Sequence, residues 1–214
     1  MYHNVIFNEK RLGMVSTSRS GCTYFRKRLC NDFGLEDSGS WLKQNEYQQI
    51  EEAKFSKHPH ILKIKIHYIP ENDLEFVLRQ FPKIWLWRED TIRQFMSHIA
   101  RLRTKINHVY DINDQPQIKD KSLTATRSEF DLFMYRQKLF WNAWKTIGFI
   151  KNEPLIKFED FLNNPNNIYD HLYDWFYFYM TSNGVVNIQL PQKIEIDYKE
   201  KFANYETIVN WFDE

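Results

Sequence analysis

The stretch VSTSRSGCTYFRKRL, Val15 to Leu29, decides how this chain is read. Met14, Val15 and Ser16 close a short apolar, β-prone run, and Thr17 to Thr23 are small, polar or glycine. From Tyr24 onward Phe25, Leu29 and Phe33 recur at helical spacing. A strand, a tight loop and a helix are therefore expected in that order. The first N–H groups of a helix lack an intrahelical acceptor and lie at the positive end of its dipole, so such a loop is a place for an anion. Gly21 lets the backbone approach closely, and Arg19, Ser20 and Thr23 offer side-chain donors. A phosphate or sulfate suits them. The loop is not a Walker A motif, because it has one glycine and no lysine after it.

The whole chain sets the bounds. Its 214 residues, 43% hydrophobic and 17% aromatic, suffice for one α/β domain, expected to span 1–214. A formal net charge of +1 gives no global field toward nucleic acid or an anionic membrane, so anion binding must be local. No apolar run approaches the ~20 residues of a membrane span, and the N-terminus has no signal-peptide core. Cys22 and Cys30 suit neither a zinc site nor a disulfide scaffold, and a reducing cytoplasm is the expected setting.

Working outward, Asn4 to Phe7 and Leu12 to Ser16 could pair as a hairpin. The segment Gly34 to Lys57 reads as an excursion over the site, in which Trp41 either stacks on a base or anchors the loop to the core. Ile61 to Ile66, ILKIKI, reads as a strand with His67 at its tip, where a side chain faces the ligand crevice of an open parallel sheet. His58 and His60 stand close by, but no carboxylate or cysteine cluster accompanies them as a metal site would need. Leu74 to Phe81 is the next helical pattern. Ile84 to Trp87 is a buried strand that delivers Arg88 to the sheet edge, followed by a helix through Ile92, Phe95, Met96, Ile99 and Arg103 that carries Ser97. An arginine and a serine so placed can hold one phosphate from two directions. Leu102 to Ser122 reads as a long loop, and Phe130 to Ile147 as an aromatic-rich helix stopped by Gly148. Leu155 to Phe158 is a short strand, Ile168 to Tyr179 a helix, Gly184 to Ile196 a β-prone stretch, and Tyr198 to Phe212 a closing helix.

Four of these segments resemble landmarks of the sulfotransferases that use 3'-phosphoadenosine 5'-phosphosulfate (PAPS). Arg19-Ser20-Gly21-Cys22-Thr23 resembles the Lys-Ser-Gly-Thr-Thr loop that binds the 5'-phosphosulfate. Lys65-Ile66-His67-Tyr68-Ile69-Pro70 resembles the Lys-Thr-His-Leu-Pro segment of the cytosolic enzymes. Arg88 to Ser97 resembles the 3'-phosphate site, with Asp90 where many members have proline and a separation of nine residues, closer to the bacterial trehalose-type enzymes. LIKFEDFLNNP, Leu155 to Pro165, resembles the Tyr-Glu-Asp-Leu signature and its following proline.

The resemblance implies a three-layer, P-loop-like α/β fold, with a central parallel sheet flanked by helices. It implies in-line transfer of a sulfuryl group from PAPS to a hydroxyl or amine of a small-molecule, glycan or peptide acceptor, without a metal and with no nucleic-acid partner. By the same likeness His67 is the general base, and Lys65 and Arg19 stabilise charge on the transferring group. Arg19, Ser20, Gly21, Cys22, Thr23, Tyr24, Arg88, Ser97 and Phe158 contact the cofactor, leaving adenosine 3',5'-bisphosphate as product. Arginine does not lose its proton at working pH, so the role of Arg19 is electrostatic. The family's Arg-Lys-Gly element is missing, and Lys199 and Lys201 are its only substitutes in view. Three alternatives stay open: a glutamate base such as Glu46 or Glu71, as in Golgi-type members; a nucleotide or metabolite kinase, which would need Mg²⁺ and a Walker lysine; and a non-catalytic protein that kept the PAPS fold for binding.

Overall fold

Five short strands, β1 (Arg11–Ser16), β2 (Glu36–Ser40), β3 (His60–Ile64), β4 (Lys83–Trp87) and β5 (Leu155–Lys157), pair in the order β2-β3-β1-β4-β5, every pair parallel. The helices are α1 (Cys22–Phe33), α2 (Glu71–Arg79), α3 (Thr91–Thr104), α4 (Arg127–Ala143), α5 (Phe158–Asn163), α6 (Tyr198–Lys201) and α7 (Tyr205–Asp213). These elements come from a computed structural model that describes residues 11–33, 36–40, 60–69, 71–79, 82–105, 118–165, 168, 172 and 196–214. Contacts divide the chain into two compact units, one of residues 1–89 and 138–188, the other of 90–137 and 189–214.

The first unit holds the sheet, and the period-2 geometry of its strands sorts their side chains onto two faces. Leu12 and Met14 of β1, Ile61 of β3, Ile84 and Leu86 of β4 and Ile156 of β5 meet Phe25 and Leu29 of α1 and Phe158 and Phe161 of α5 on one side. Val15, Leu62, Ile64 and Trp85 meet Val77 and Leu78 of α2, Phe140 and Ala143 of α4 and Ile147 on the other. Helices thus cover both faces, giving the expected three-layer α/β architecture. A parallel sheet covered in this way needs near-continuous apolar strands, which the KIWLW of β4 supplies.

Two charged side chains interrupt that second face. Lys83 Nζ and Glu153 Oε1 pair at 2.9 Å with almost no solvent exposure, and the Trp85 indole N–H donates to Glu153 Oε2 at 2.6 Å. Burial pulls the Lys83 ammonium down from its ordinary value to about 8, although Glu153 pushes the other way. Beside this group the helix α4 gives way to a π turn, Trp144–Gly148. A Cβ on Gly148 would lie 2.7 Å from Trp85 Nε1, so a glycine is needed there for close packing rather than only to stop the helix.

In the second unit Phe95, Met96 and Ile99 of α3 pack with Leu123, Ala125, Phe130, Phe133, Phe202 and Ile208. Asp90 caps α3 by accepting from the Arg93 amide at 2.8 Å, and Lys105 ends it in the left-handed region. Asn204 ties the chain before α7 to Ala125 through that residue's N–H and C=O, at 3.2 and 2.7 Å.

Four expectations need correction. The single closing helix expected from Tyr198 to Phe212 is two helices, α6 and α7, broken at Phe202 to Asn204 where the backbone leaves the helical region. Part of the excursion from Gly34 is the edge strand β2, whose sequence EDSGS has no apolar alternation; backbone pairing to β3, with a register irregularity between Asp37 and Ser40, makes it a strand. The strand expected to reach Ile66 stops at Ile64, and Ile66–Tyr68 is a 3₁₀ turn. The loop expected from Leu102 begins later, because α3 runs on to Thr104. The first hairpin strand, Trp41, Glu46, Pro70, the stretch Gly184 to 195 and most of the helix from Ile168 to Tyr179 lie outside the described residues. Among the described residues, no helix is long and apolar enough to cross a membrane.

Candidate functional site

At the carboxyl end of β1 the strand order reverses: β3 and β2 lie to one side and β4 and β5 to the other. In open parallel sheets such a switch point leaves a ligand crevice beyond the strand ends. The segment that enters it is Thr17 to Gly21, followed by α1. Two of its residues, Arg19 (φ 62°) and Gly21 (φ 77°), occupy the left-handed region, which curls the backbone between strand and helix. An L-residue such as Arg19 adopts that conformation at a cost of about 1–2 kcal/mol. Ser20 is fully buried and its hydroxyl donates to the Thr17 carbonyl at 2.9 Å, so the side chain expected to reach a ligand instead ties the loop to itself.

The helix begins at Cys22, two residues before the apolar periodicity becomes visible, and the Phe25 amide donates to the Gly21 carbonyl at 3.0 Å. The amides of Cys22, Thr23 and Tyr24 accordingly have no intrahelical acceptor and stand at the positive end of a 12-residue helix. Thr23 and Arg19 are half-exposed. Tyr24 is half-buried, its ring edge-on to Phe158 and Phe161 at 6.4 and 6.2 Å.

Phe158 lies under the loop. A Cβ built on Gly21 would come within 2.2 Å of Phe158 Cζ, so only glycine lets the loop rest on that ring. The ring is a core position, 5% exposed, and the service it performs in this structure is to support Gly21 rather than to offer an open face.

Below the first turn of α1 a polar cluster interrupts the apolar face. Alternation in β1 puts Ser16 on the α1 side with Leu12 and Met14, and alternation in β3 puts Lys63 there with Ile61. Lys63 lies close to the Cys22 sulfur. Burial pushes the Cys22 thiol up, but the charge and hydrogen bond of Lys63, helped by the Ser16 hydroxyl and by Lys65, outweigh it and hold the thiol below its ordinary value. Among the described residues the Ser16 Oγ has no hydrogen-bond partner of ordinary geometry, though it lies near enough to act on the thiol.

The remaining expected residues are placed as follows. Lys65 follows β3 with extended backbone and His67 is half-buried in the 3₁₀ turn, so period-2 alternation does not put these two on one side. Arg88 stands immediately after β4, its Nε donating to Glu159 Oε1 at 3.1 Å, and the other oxygen of Glu159 accepts from the Glu89 amide at 3.1 Å. This pair is partly buried, 11% and 27% exposed, so it escapes much of the screening that makes surface pairs weak. Lys157 joins it by bridging Glu89 and Asp160 at 3.2 and 3.3 Å. Ser97 is a buried residue of α3 in the second unit. Lys201, offered as a replacement for a missing cofactor contact, is engaged by Asp120, and Lys121 donates to the Lys199 carbonyl. No group of acidic, cysteine or histidine side chains among the described residues could hold a metal ion.

Sequence reading missed Lys63, and it took Glu159 for a helix-start acid when it is also the partner of Arg88. Lys63 had a signal: in a strand buried on both faces, a lysine cannot be turned outward. No protein-family model matches this chain, and no curated protein is significantly similar to it.

Proposed function

We propose that this chain is a PAPS-dependent sulfotransferase of the P-loop-like class, acting in the cytoplasm on a hydroxyl or amine acceptor. The observation that carries the reading is the anion-suited loop at the carboxyl end of the central strand, in a parallel sheet of order 2-3-1-4-5, with helix amides after Gly21 that have no intrahelical acceptor and with Arg19 two residues before it. The donor set fits a dianionic group: backbone N–H, a guanidinium and a hydroxyl. Arg88, held in place by Glu159, is the candidate for a second phosphate.

PAPS supplies an activated sulfuryl group on a good leaving phosphate. The chain's part is then to position and to neutralise: Arg19 and the Cys22 to Tyr24 amides hold the anion, Lys65 offsets charge that builds during transfer, and His67 takes the acceptor proton. The kinase alternative is left without its Walker lysine.

The test is ligand binding. Adenosine 3',5'-bisphosphate at a hundred times its Kd should stabilise the protein by about 2.7 kcal/mol. Arg88→Ala should weaken this bisphosphate by about 1.5–3 kcal/mol while sparing adenosine 5'-phosphate. A melting shift with Mg²⁺-ATP and none with the bisphosphate would overturn the reading in favour of a kinase.

A further inference from the structure

The parallel pairing of β4 and β5 sets Trp87 opposite Lys157, so the chain leaves both strands at the same edge of the sheet. Arg88 follows on one strand, and Phe158, Glu159 and Asp160 open α5 on the other, all within the first unit. Glu159 divides its two oxygens between two donors: Oε1 accepts from Arg88 Nε and Oε2 from the Glu89 amide, each at 3.1 Å. The carboxylate is thereby anchored to the backbone next to the arginine it holds. Lys157, bridging Glu89 and Asp160 at 3.2 and 3.3 Å, braces the same corner. An arginine can meet a carboxylate through two N–H groups at once, but Glu159 takes Nε alone. Among the described residues the terminal Nη1 and Nη2 of Arg88 make no hydrogen bond, and they form the edge of the guanidinium that matches two oxygens of a phosphate.

The charges around Arg88 decide what that edge can hold. Arg88 and Lys157 are met by three carboxylates, Glu89, Glu159 and Asp160, so the group is net negative and does not draw a free anion by its field. A phosphate engages Arg88 through geometry, once another part of the same ligand is held elsewhere. We propose that Glu159 is the positioning residue for discrimination of the 3'-phosphate: by holding Nε it fixes the plane of the Arg88 guanidinium and presents the Nη1–Nη2 edge to that group, while its charge keeps unattached anions away. The inference rests on the sulfotransferase reading, in which the 5'-phosphate sits at the Arg19 to Thr23 loop.

The experiment measures, by titration calorimetry on the full chain, the Kd of adenosine 3',5'-bisphosphate and of adenosine 5'-phosphate, and takes their ratio. In Glu159→Ala the preference for the bisphosphate is expected to fall about tenfold, the lower end of what a charge-assisted hydrogen bond contributes, with little change in the Kd of the 5'-phosphate. Glu159→Gln keeps an acceptor for Nε but has no second one for the Glu89 amide, and it should retain more of the preference than Glu159→Ala. A merely structural Glu159 would shift both ligands alike. An unchanged ratio in Glu159→Ala, with the preference lost in Arg88→Ala, overturns the positioning role and leaves the sulfotransferase reading standing. Absence of bisphosphate binding by the wild-type protein overturns that reading, and this inference with it. If Glu159→Ala does not fold, Glu159→Gln decides: a lower ratio together with stronger competition by inorganic phosphate supports the role, and a wild-type value of either refutes it.

Discussion

Replacing Glu153 by glutamine tests the most deeply buried charge in the sheet. Gln keeps an acceptor for the Trp85 indole N–H but removes the carboxylate that pairs with Lys83 at 2.9 Å. At pH 7 the wild-type Lys83, with a folded pKa of about 8, is still an ammonium. Without the carboxylate the buried ammonium loses this ion pair, and breaking a buried pair from one side costs about 3–5 kcal/mol, a large part of a domain's total stability. The pH dependence separates this cause from simple misfit. Because the folded pKa lies below the ordinary 10.5, the unfolded chain binds the extra proton between about 8 and 10.5, and stability rises with pH across that window. Above it Lys83 is neutral in both folded proteins, and the difference between wild type and Glu153→Gln should shrink to about 1–2 kcal/mol, the residue of an altered hydrogen bond. Denaturant unfolding at pH 7 and pH 10 measures both. The double variant Lys83→Met with Glu153→Gln, which buries no charge, should recover most of the loss at pH 7. A penalty that is the same at both pH values, or a double variant no better than the single, would show that the ammonium is not the cause.

Two further outcomes concern the loop and its surroundings. Gly21→Ala should lose about 1–3 kcal/mol of stability, since its φ of 77° disfavours a Cβ and the ring of Phe158 occupies the space; in a Phe158→Leu background part of the loss should vanish, and strict additivity in the unfolding cycle would refute the contact. His67→Ala should lower sulfuryl transfer to a competent acceptor by about a hundredfold with little change in cofactor affinity, while His58→Ala and His60→Ala stay mild; full turnover in His67→Ala together with its loss in Glu71→Ala would move the base to the glutamate.

The central strands were legible because a parallel sheet buried on both faces writes itself as short apolar runs, and Ile84 to Trp87, Leu155 to Phe158 and Leu12 to Ser16 are such runs; the three-layer arrangement itself came from the family resemblance. The loop between β1 and α1 was legible for the same reason in reverse, since small polar residues and one glycine between two apolar patterns leave few other conformations. The edge strand β2 was not, because EDSGS carries no side-chain signal and owes its form to the backbone of β3. The strand end at Ile64 was hidden by Ile66, whose side chain joins the same apolar cluster from a 3₁₀ turn as it would from a strand. The buried charges Lys83 and Glu153 escaped for a different reason: neither has a local signal, because each one's partner lies far along the chain. Glu159 likewise meets Arg88 across 71 residues of sequence.

The bond from Ser20 to Thr17 and the seat of Gly21 on Phe158 have a kinetic meaning beyond their geometry. A cradle fixed by its own backbone and by a core ring has already surrendered the conformational entropy that a slack loop would lose on capture, so under the proposed function little ordering would oppose an incoming anion. Encounter of the proposed ligand with such a preformed loop would then be governed by diffusion and local charge, and its on-rate is expected to fall as salt rises.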